Sequence, residues 1–122
     1  MEVTLEYTEA ELANIIEEAM TAARNASQKF FDEQMGGQDA YACGFAWVNI
    51  YKFNGVAIKG NTKLGRMLKK LGVDQDYTKA FQIWNPSGMY VQNIDTKEVG
   101  AQAAANVFRR YGFTAYACSR LD

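Results

Sequence analysis

The feature that most constrains the fold of this chain is segment 41–53, which has no acidic residue and only two strongly polar ones, Asn49 and Lys52. Its odd positions carry mostly large side chains, whereas its even positions carry small or aliphatic ones. Alternate residues of a β-strand lie on opposite faces of its sheet. The pattern therefore predicts a central strand with an aromatic face and a small face. Because both faces are apolar, we expect both to be covered.

Capping and turn signals predict a long helix before this strand and a hairpin after it. Thr8 followed by Glu11 is a capping box, and apolar residues then recur every three or four positions to about Gln34. At 1.5 Å per residue this amphipathic helix is roughly 39 Å long. Asn54 and Gly55 predict a tight turn that returns the chain as a short strand.

The rest of the chain contains the signals for two more helices and three more strands. A short helix begins at Asn61 or Thr62, and a longer one begins with a second capping box, Asp95 and Glu98. The Pro-containing turn at 85–88 predicts a second hairpin. The predicted elements are a helix over 62–71, strands over 79–84 and 89–93, a helix over 95–111 and a strand over 113–118.

This order predicts an α+β fold of the ferredoxin-like split βαβ type (βαββαβ) with an added long N-terminal helix. The 122 residues are the size of one domain, 1–122. The first and last strands of this topology are antiparallel neighbours, which predicts that Cys43 lies near Cys118. We expect the two shorter helices to cover the small face of the central strand. The N-terminal helix, from this chain or a second copy, is expected to cover the aromatic face.

Composition argues against several kinds of site. The chain has two cysteines and no histidine, whereas zinc sites usually draw four ligands from these residue types. No metal and no cofactor are therefore predicted. The cysteines are interpreted as buried thiols rather than as a disulfide. No apolar segment approaches the roughly 20 residues that span a bilayer, which predicts a cytoplasmic protein.

Charge is distributed unevenly along the chain. Residues 1–40 contain nine acidic and two basic residues, a net charge of −7, whereas residues 41–122 have a net charge of +6. Two interpretations follow from this asymmetry. The C-terminal part attracts an anionic ligand or partner, or the two parts of the chain neutralise each other.

The best candidate for a ligand contact is the basic segment that enters the short helix. A helix N-terminus favours an anion because its backbone N–H groups are free and its dipole is positive there. An ordinary helix cap with solvated lysines explains the same residues. The candidate residues of this segment are Lys59, Asn61, Thr62, Lys63 and Arg66.

Three further candidates lie elsewhere in the chain. Asn49 is a polar residue in an apolar strand, so its side chain needs a hydrogen-bonding partner in the core or in a ligand. Arg109 and Arg120 can bind phosphate in a bidentate manner. They can equally be the ordinary charge of a helix end and of a solvated tail.

The aromatic face of the central strand has two interpretations. Phe45, Trp47 and Tyr51 resemble the stacking platforms of sheet-based RNA binders, but large aromatic residues are more often buried, and a core is the preferred interpretation. No residue is nominated as catalytic. Without histidine, a nucleophile would need activation by a lysine or a carboxylate, and no spacing indicates such a pair.

Three short segments resemble parts of small tailed-phage proteins of uncharacterised function: Cys-Gly-Phe-Ala-Trp-Val at 43–48, Asn-Pro-Ser-Gly at 85–88 and Ser-Arg-Leu-Asp at 119–122. The resemblance covers about residues 41–122 and includes no catalytic signature. It implies a phage or prophage origin and action in the cytoplasm of an infected bacterial host. It transfers no site residues.

These observations predict a non-enzymatic phage accessory protein that binds a host protein or a phosphorylated small ligand. One alternative is a nucleic-acid-binding module that uses the basic helix 59–70. A second alternative is a small enzyme that acts on a nucleotide-like substrate.

The length of the N-terminal helix predicts a homodimer. A helix of roughly 39 Å exceeds the roughly 23 Å of a seven-residue strand, so its C-terminal end extends beyond the sheet. That end carries Ala26, Phe30, Phe31 and Met35, and a symmetric pair is the commonest way to bury such a patch. The long central hairpin is the alternative cover for it. Sedimentation equilibrium at micromolar concentration should give about 27 kDa, twice the chain mass of 13.7 kDa. A single 13.7 kDa species would contradict the prediction.

Overall fold

The computed structural model describes residues 7–122, in which three helices lie on one face of a five-stranded antiparallel sheet. The fold is α+β with a long N-terminal helix, as predicted. Within residues 7–122 no helix combines the length and the hydropathy that crossing a bilayer requires. The elements are α1 (Glu9–Glu33), β1 (Gly44–Phe53), β2 (Val56–Ala57), α2 (Lys63–Lys70), β3 (Asp74–Gln75), β4 (Phe81–Trp84), α3 (Ile94–Arg110) and β5 (Phe113–Leu121).

β1 is the central strand, as the sequence predicts, and it is paired along both edges. One edge pairs with β5, from Gly44 opposite Leu121 to Phe53 opposite Phe113. The other edge pairs first with β4 and then with β2, which returns from the predicted hairpin turn. β3 pairs with the outer edge of β4. The sheet order is therefore β5-β1-β4-β3, with β2 beside the C-terminal end of β1.

The small face of β1 forms the core together with the helices. Ala46, Val48 and Ile50 are at most 1 % exposed, and Ala104 and Phe108 of α3 are fully buried with them. α3 contacts both β1 and β5. The prediction that the small face is covered closely by an alanine-rich helix is confirmed, because alanine lets the helix backbone approach the sheet.

α1 packs mainly against α3 rather than against the sheet. A Cβ built on Gly100 of α3 would lie 3.1 Å from the carbonyl oxygen of Ala23 in α1 and would contact the hydroxyl of Ser27. That hydroxyl donates a hydrogen bond to the carbonyl oxygen of Thr96, at 2.6 Å. The buried side of α1 is thus used within the chain. The expectation that α1 of this chain covers the aromatic face is wrong.

The start of each helix follows from local hydrogen bonding. Thr8 and Glu11 form the predicted capping box of α1, and Thr62 caps α2 by accepting a hydrogen bond from the backbone N–H of Gly65, at 3.1 Å. α3 is capped by Asn93 rather than by the predicted Asp95. The first two predictions are confirmed. The cap of α3 lies two residues closer to the N-terminus than predicted.

The predicted strand over 89–93 is wrong, and β4 forms its hairpin with β3 instead. Side chains satisfy much of the backbone of this segment. Asn85 donates its amide to the carbonyl oxygen of Met89, at 3.0 Å. The carboxylate of Asp39 accepts from the backbone N–H groups of Gln92 and Asn93, at 2.7 and 2.9 Å. With these groups already bonded, the segment runs as an irregular connection into α3.

The two cysteines do not lie near each other, contrary to the prediction. Cys118 lies opposite Trp47, four residues from Cys43 along β1, or about 13 Å at 3.3 Å per residue. Both thiols are free, and Cys43 is exposed whereas Cys118 is half-buried. The interpretation of two buried thiols is therefore wrong for Cys43. Strand order brings the two strands together, but the register separates the thiols.

The close approach of α1 and α3 generates a stability prediction. Gly100→Ala should lower the free energy of unfolding by roughly 1–3 kcal/mol, because the added methyl group would push the two helices apart. Gln102→Ala, at an exposed position of the same helix, is the matched control and should change it by less than about 0.5 kcal/mol. Urea denaturation measures both. Equal stabilities for the two variants would contradict the close approach.

Candidate functional site

A groove of about 760 Å³ opens beside the β1–β2 hairpin, between it and the turn that precedes β4. Four lysines line the groove, and none of the lining residues that the structure describes is acidic. We call this surface the basic groove. Its lining residues are Tyr51, Lys52, Ala57, Ile58, Lys59, Gly60, Asn61, Lys69, Gln75, Thr78, Lys79 and Ala80.

The basic groove lies where β1 changes its pairing partner. β1 pairs with β4 from Trp47 to Ile50 and with β2 at Lys52 and Phe53. Its register with β5 shifts between Ile50 and Lys52, which leaves Tyr51 as an extra residue in the strand. Such a bulge bends the strand and re-aims its side chains. Tyr51 and Lys52 therefore border the gap between β2 and the start of β4.

The first turn of α2 fixes one wall of the basic groove. Thr62 donates its hydroxyl to the carbonyl oxygen of Lys59, at 2.6 Å. Gly65 packs directly on the backbone of Lys59, because a Cβ there would contact the same carbonyl oxygen. Lys69 reaches back over Gly60, where a Cβ would lie 2.7 Å from its amine. Two lysines that are ten residues apart in sequence thus meet in one wall.

The turn 76–80 forms another wall, and Asp76 holds it in place. One carboxylate oxygen accepts from the hydroxyl of Thr78 and from the backbone N–H groups of Thr78 and Ala80, at 2.6, 2.8 and 3.0 Å. These hydrogen bonds, that of the Thr78 side chain above all, hold the pKa of Asp76 below its ordinary value of 3.8. Lys79 has a φ of 70°, a conformation that is unfavourable for residues other than glycine. The turn thus keeps Lys79 in a strained geometry at the groove.

The aromatic face of the sheet is exposed beside the basic groove. Tyr51, Trp84 and Tyr116 are 40 %, 49 % and 54 % exposed. The preferred interpretation of this face as a buried core is wrong, because the described helices lie on the other face of the sheet. We call this surface the open face. It consists of Phe45, Trp47, Asn49, Tyr51, Gln82, Trp84, Tyr116, Cys118 and Arg120.

The rings of the open face support one another. Trp47 and Trp84 stack with their ring centroids 4.8 Å apart and their planes at 26°. Phe45 meets Trp84 edge-on at 6.1 Å, and Tyr51 lies 6.2 Å from Tyr116. Such contacts each contribute roughly 0.5–1.5 kcal/mol beyond the area that they bury. The rings therefore hold a defined surface without a covering element.

Two arginines lie against these rings from the β5 side. The guanidinium of Arg120 lies 5.5 Å from the centroid of Phe45, and that of Arg109 lies 5.9 Å from the centroid of Tyr116. Arg109 also donates to the carbonyl oxygen of Ala115, at 2.7 Å. Both arginines are exposed overall, so each keeps donors free for a further acceptor.

Asn49 lies at the centre of the open face and is only 8 % exposed. Its amide nitrogen donates to the hydroxyl of Tyr51, at 3.0 Å, and to the sulfur of Cys118, at 3.5 Å. Its Oδ1 and the indole nitrogen of Trp47 are buried and have no hydrogen-bonding partner among the described residues. An unpaired buried polar atom costs roughly 1–3 kcal/mol. Burial also raises the pKa of the Cys118 thiol above its ordinary value.

The structure divides the predicted basic segment between different surfaces. Lys59 and Asn61 line the basic groove. Thr62 serves as the cap of α2, and Lys63 lines a separate pocket of about 230 Å³. Arg66 is exposed and donates to the carbonyl oxygen of Asn61, at 2.7 Å. The other three predicted residues lie at the open face: Asn49 at its centre, and Arg109 and Arg120 on its β5 side.

Sequence reasoning missed three of the four groove lysines, namely Lys52, Lys69 and Lys79. Lys69 belongs to the predicted basic helix 59–70, but only the structure shows that its amine reaches back to Gly60. Lys52 lies in the central strand and Lys79 follows a turn, so only the tertiary fold brings them to Lys59. Trp84 and Tyr116 were missed as neighbours of Trp47 and Asn49, because strand register could not be predicted.

Comparison with known proteins adds no assignment for this site. No protein-family model, no curated protein and no solved structure matches the chain. Within residues 7–122, no three side chains of Cys, Asp or Glu come together as a metal site would require. The interpretation of the groove and the open face therefore depends on their geometry and charge.

Acid titration tests the turn at Asp76. Its pKa in the folded state lies below the ordinary value of 3.8, so the unfolded state takes up its proton first as the pH falls. The stability that Asp76 contributes is present above pH 3.8 and is lost as the pH falls through the lowered pKa. Asp76→Asn keeps an acceptor oxygen but cannot titrate, so its stability should fall less steeply in that range. Urea denaturation at several pH values measures the slope, and equal slopes would contradict the assignment.

Proposed function

We propose that this protein is a non-enzymatic binding protein whose basic groove takes a phosphorylated ligand. The observation that carries the proposal is the convergence of four lysines on one groove without an acidic lining residue among those described. Four like charges in one concavity create a positive potential that attracts anions and is relieved when one binds. The groove volume of about 760 Å³ falls within the roughly 300–1,000 Å³ typical of ligand sites.

The charge of the groove is not neutralised by the acidic first helix. Among residues 7–122, the ion pairs of α1 join Glu9 to Lys70, at 3.0 Å, and Glu18 to Arg110, at 3.2 Å. Both pairs are on exposed side chains, and neither uses a groove lysine. This favours attraction of an anion over internal neutralisation as the interpretation of the uneven charge. Two of the nine acidic residues of segment 1–40, Glu2 and Glu6, lie outside the described residues.

Neutral polar groups in the groove complement the lysines. The side-chain amides of Asn61 and Gln75 supply hydrogen-bond donors, and Gln75 is oriented by donating to the carbonyl oxygen of Lys79, at 2.9 Å. Tyr51 adds an aromatic ring at the rim. A phosphate has several acceptor oxygens, whereas a halide ion is a single acceptor atom. A groove with both amide and amine donors therefore favours phosphate over a halide.

The alternative that uses helix 59–70 alone to bind nucleic acid has less support. Of its basic residues, Lys59 and Lys69 line the groove. Lys63 and Arg66 lie elsewhere, and Lys70 is paired with Glu9. These residues therefore do not form a single basic face of the helix.

We also infer a ferredoxin-like split βαβ arrangement for residues 44–121. The sheet order β5-β1-β4-β3, with antiparallel neighbours throughout, supports this assignment. So does the placement of α2 between β1 and β3 and of α3 between β4 and β5. In this assignment β2 is an addition at the edge of the sheet, and it forms part of the groove.

The biological setting and the dimer remain proposals of the same kind. The resemblance to tailed-phage proteins would place ligand binding inside an infected bacterial cell. Half-exposed Phe30, Phe31 and Met35 at the C-terminal end of α1 support pairing of two copies through that end.

Charge-matched variants test the groove. Replacing Lys59, Lys69 and Lys79 by Gln should weaken binding of inorganic tripolyphosphate at least tenfold, because the loss of even one charge-assisted contact, worth roughly 1.5–3 kcal/mol, lowers the affinity about tenfold or more. The control replaces three exposed lysines outside the groove by Gln and should stay within about twofold. Its positions are Lys29, Lys63 and Lys70.

Isothermal titration calorimetry measures both affinities. Equal losses in the two variants would show that only general charge matters. Absence of tripolyphosphate binding by the unmodified protein would overturn the proposed function.

A further inference from the structure

We infer that the ligand of the basic groove is a single-stranded nucleic acid, whose phosphates occupy the groove while its bases stack on the open face. This inference rests on the proposed function, because it assigns the ligand class of the same groove. The two surfaces are continuous through Tyr51. Tyr51 is one of the residues that line the groove, and the centroid of its ring lies 6.2 Å from that of Tyr116 on the open face.

The open face supplies what unpaired bases need. Base stacking on aromatic side chains tolerates any sequence, because every base has a π-face. Trp84 and Tyr116 present rings that are about half exposed, and the stack of Trp84 on Trp47 holds its ring in place. A cluster of exposed rings on one sheet face is the kind of apolar surface that marks an interaction site.

Cations lie at both ends of this surface. The groove lysines lie at the Tyr51 end, and Arg120 lies at the opposite end, against Phe45. A strand that crosses the face from the groove therefore finds positive charge for its phosphates at the start and at the end of the path.

The centre of the face offers an unpaired acceptor and an unpaired donor. These are Oδ1 of Asn49 and the indole nitrogen of Trp47, and neither has a partner among the described residues. Base edges carry both donors and acceptors, whereas an aliphatic or purely anionic ligand lacks one or both. Both atoms are buried, so a base reaches them only when the surrounding rings move.

Two other occupants fit the observations less well. A duplex keeps its bases stacked inside, so it cannot place them on the rings. A second copy of this chain could present its own open face, but that contact would bring the groove lysines and Arg120 of both copies together, and no residue of the open face is acidic to offset them.

Intrinsic fluorescence tests the inference directly, because both tryptophans of the chain belong to the open face. The probe is an oligothymidylate of about twelve nucleotides, within the site sizes of single-strand binders. It should quench the tryptophan emission, and an abasic strand with the same number of phosphates should bind more weakly and quench little. Oligouridylate in the same assay distinguishes RNA from DNA.

Substitutions separate stacking from charge. Trp84→Leu should weaken oligothymidylate binding roughly tenfold and leave the affinity for the abasic strand unchanged. Tyr116→Leu, with the same expected effect, serves if the first variant does not fold. Tyr90→Leu removes a ring that is 98 % exposed and outside the sheet, and it should have no effect. Replacing Lys59, Lys69 and Lys79 by Gln should weaken both strands.

The outcomes separate this inference from the proposed function. If tripolyphosphate binds but neither Trp84→Leu nor Tyr116→Leu changes oligothymidylate affinity, the stacking inference is overturned and the groove proposal stands. If no anion binds, both are overturned. If sedimentation shows that Trp84→Leu converts a dimer into a monomer, the open face is an interface between two copies, and the nucleic-acid inference is overturned.

Discussion

The pairing of β1 is the constraint on which the rest of the structure depends. Its first half shares an edge with β4, and its second half shares the same edge with β2. No single strand lines that edge from end to end, so a gap remains where one partner stops and the other begins. The bulge at Tyr51 falls at this gap. The groove is thus a consequence of strand pairing, and its lysines come from four separate segments that end around it.

The packing of α1 on α3 explains why the aromatic face is open. Small residues, including Ala19, Ala23 and Gly100, let the two helices approach closely. α1 thereby buries its apolar side within the helical layer, and no apolar helix side in the described chain is left for the other face of the sheet. Trp47 and Trp84 then stabilise each other by stacking. The rings stay exposed because the helices bury their apolar sides against one another, and not because the chain has too few apolar residues.

Predictions from the sequence are confirmed where the structure of a segment depends only on its own residues. The capping box of Thr8 and Glu11 and the hairpin turn at Asn54 and Gly55 need only neighbouring residues, and both are present. The strand predicted over 89–93 does not form, because the side chain that binds its backbone, Asp39, is more than fifty residues away in the sequence. β3 is not predicted from the sequence, because two residues are too few to show the alternation typical of a strand.

The candidate site could be anticipated only in part, for a related reason. Lys59 and Asn61 were visible because they lie in one basic segment. Lys52 and Lys79 join them through β-pairing, which composition does not encode. The aromatic residues of β1 were recognised, but periodicity identifies an apolar face without showing whether anything covers it. Whether a surface is buried depends on what packs against it, and here α1 packs against α3 and not against the aromatic face.

The distribution of charge is local rather than divided between the two layers of the fold. α1 carries six acidic and two basic residues, whereas four lysines and no acidic residue line the groove in the part of the chain that the structure describes. A positive potential therefore exists at the groove although the net charge of the chain is only −1. It reaches a polyanion within a Debye length of about 8 Å at physiological salt, so long-range attraction is directed to the groove and not to a whole side of the molecule.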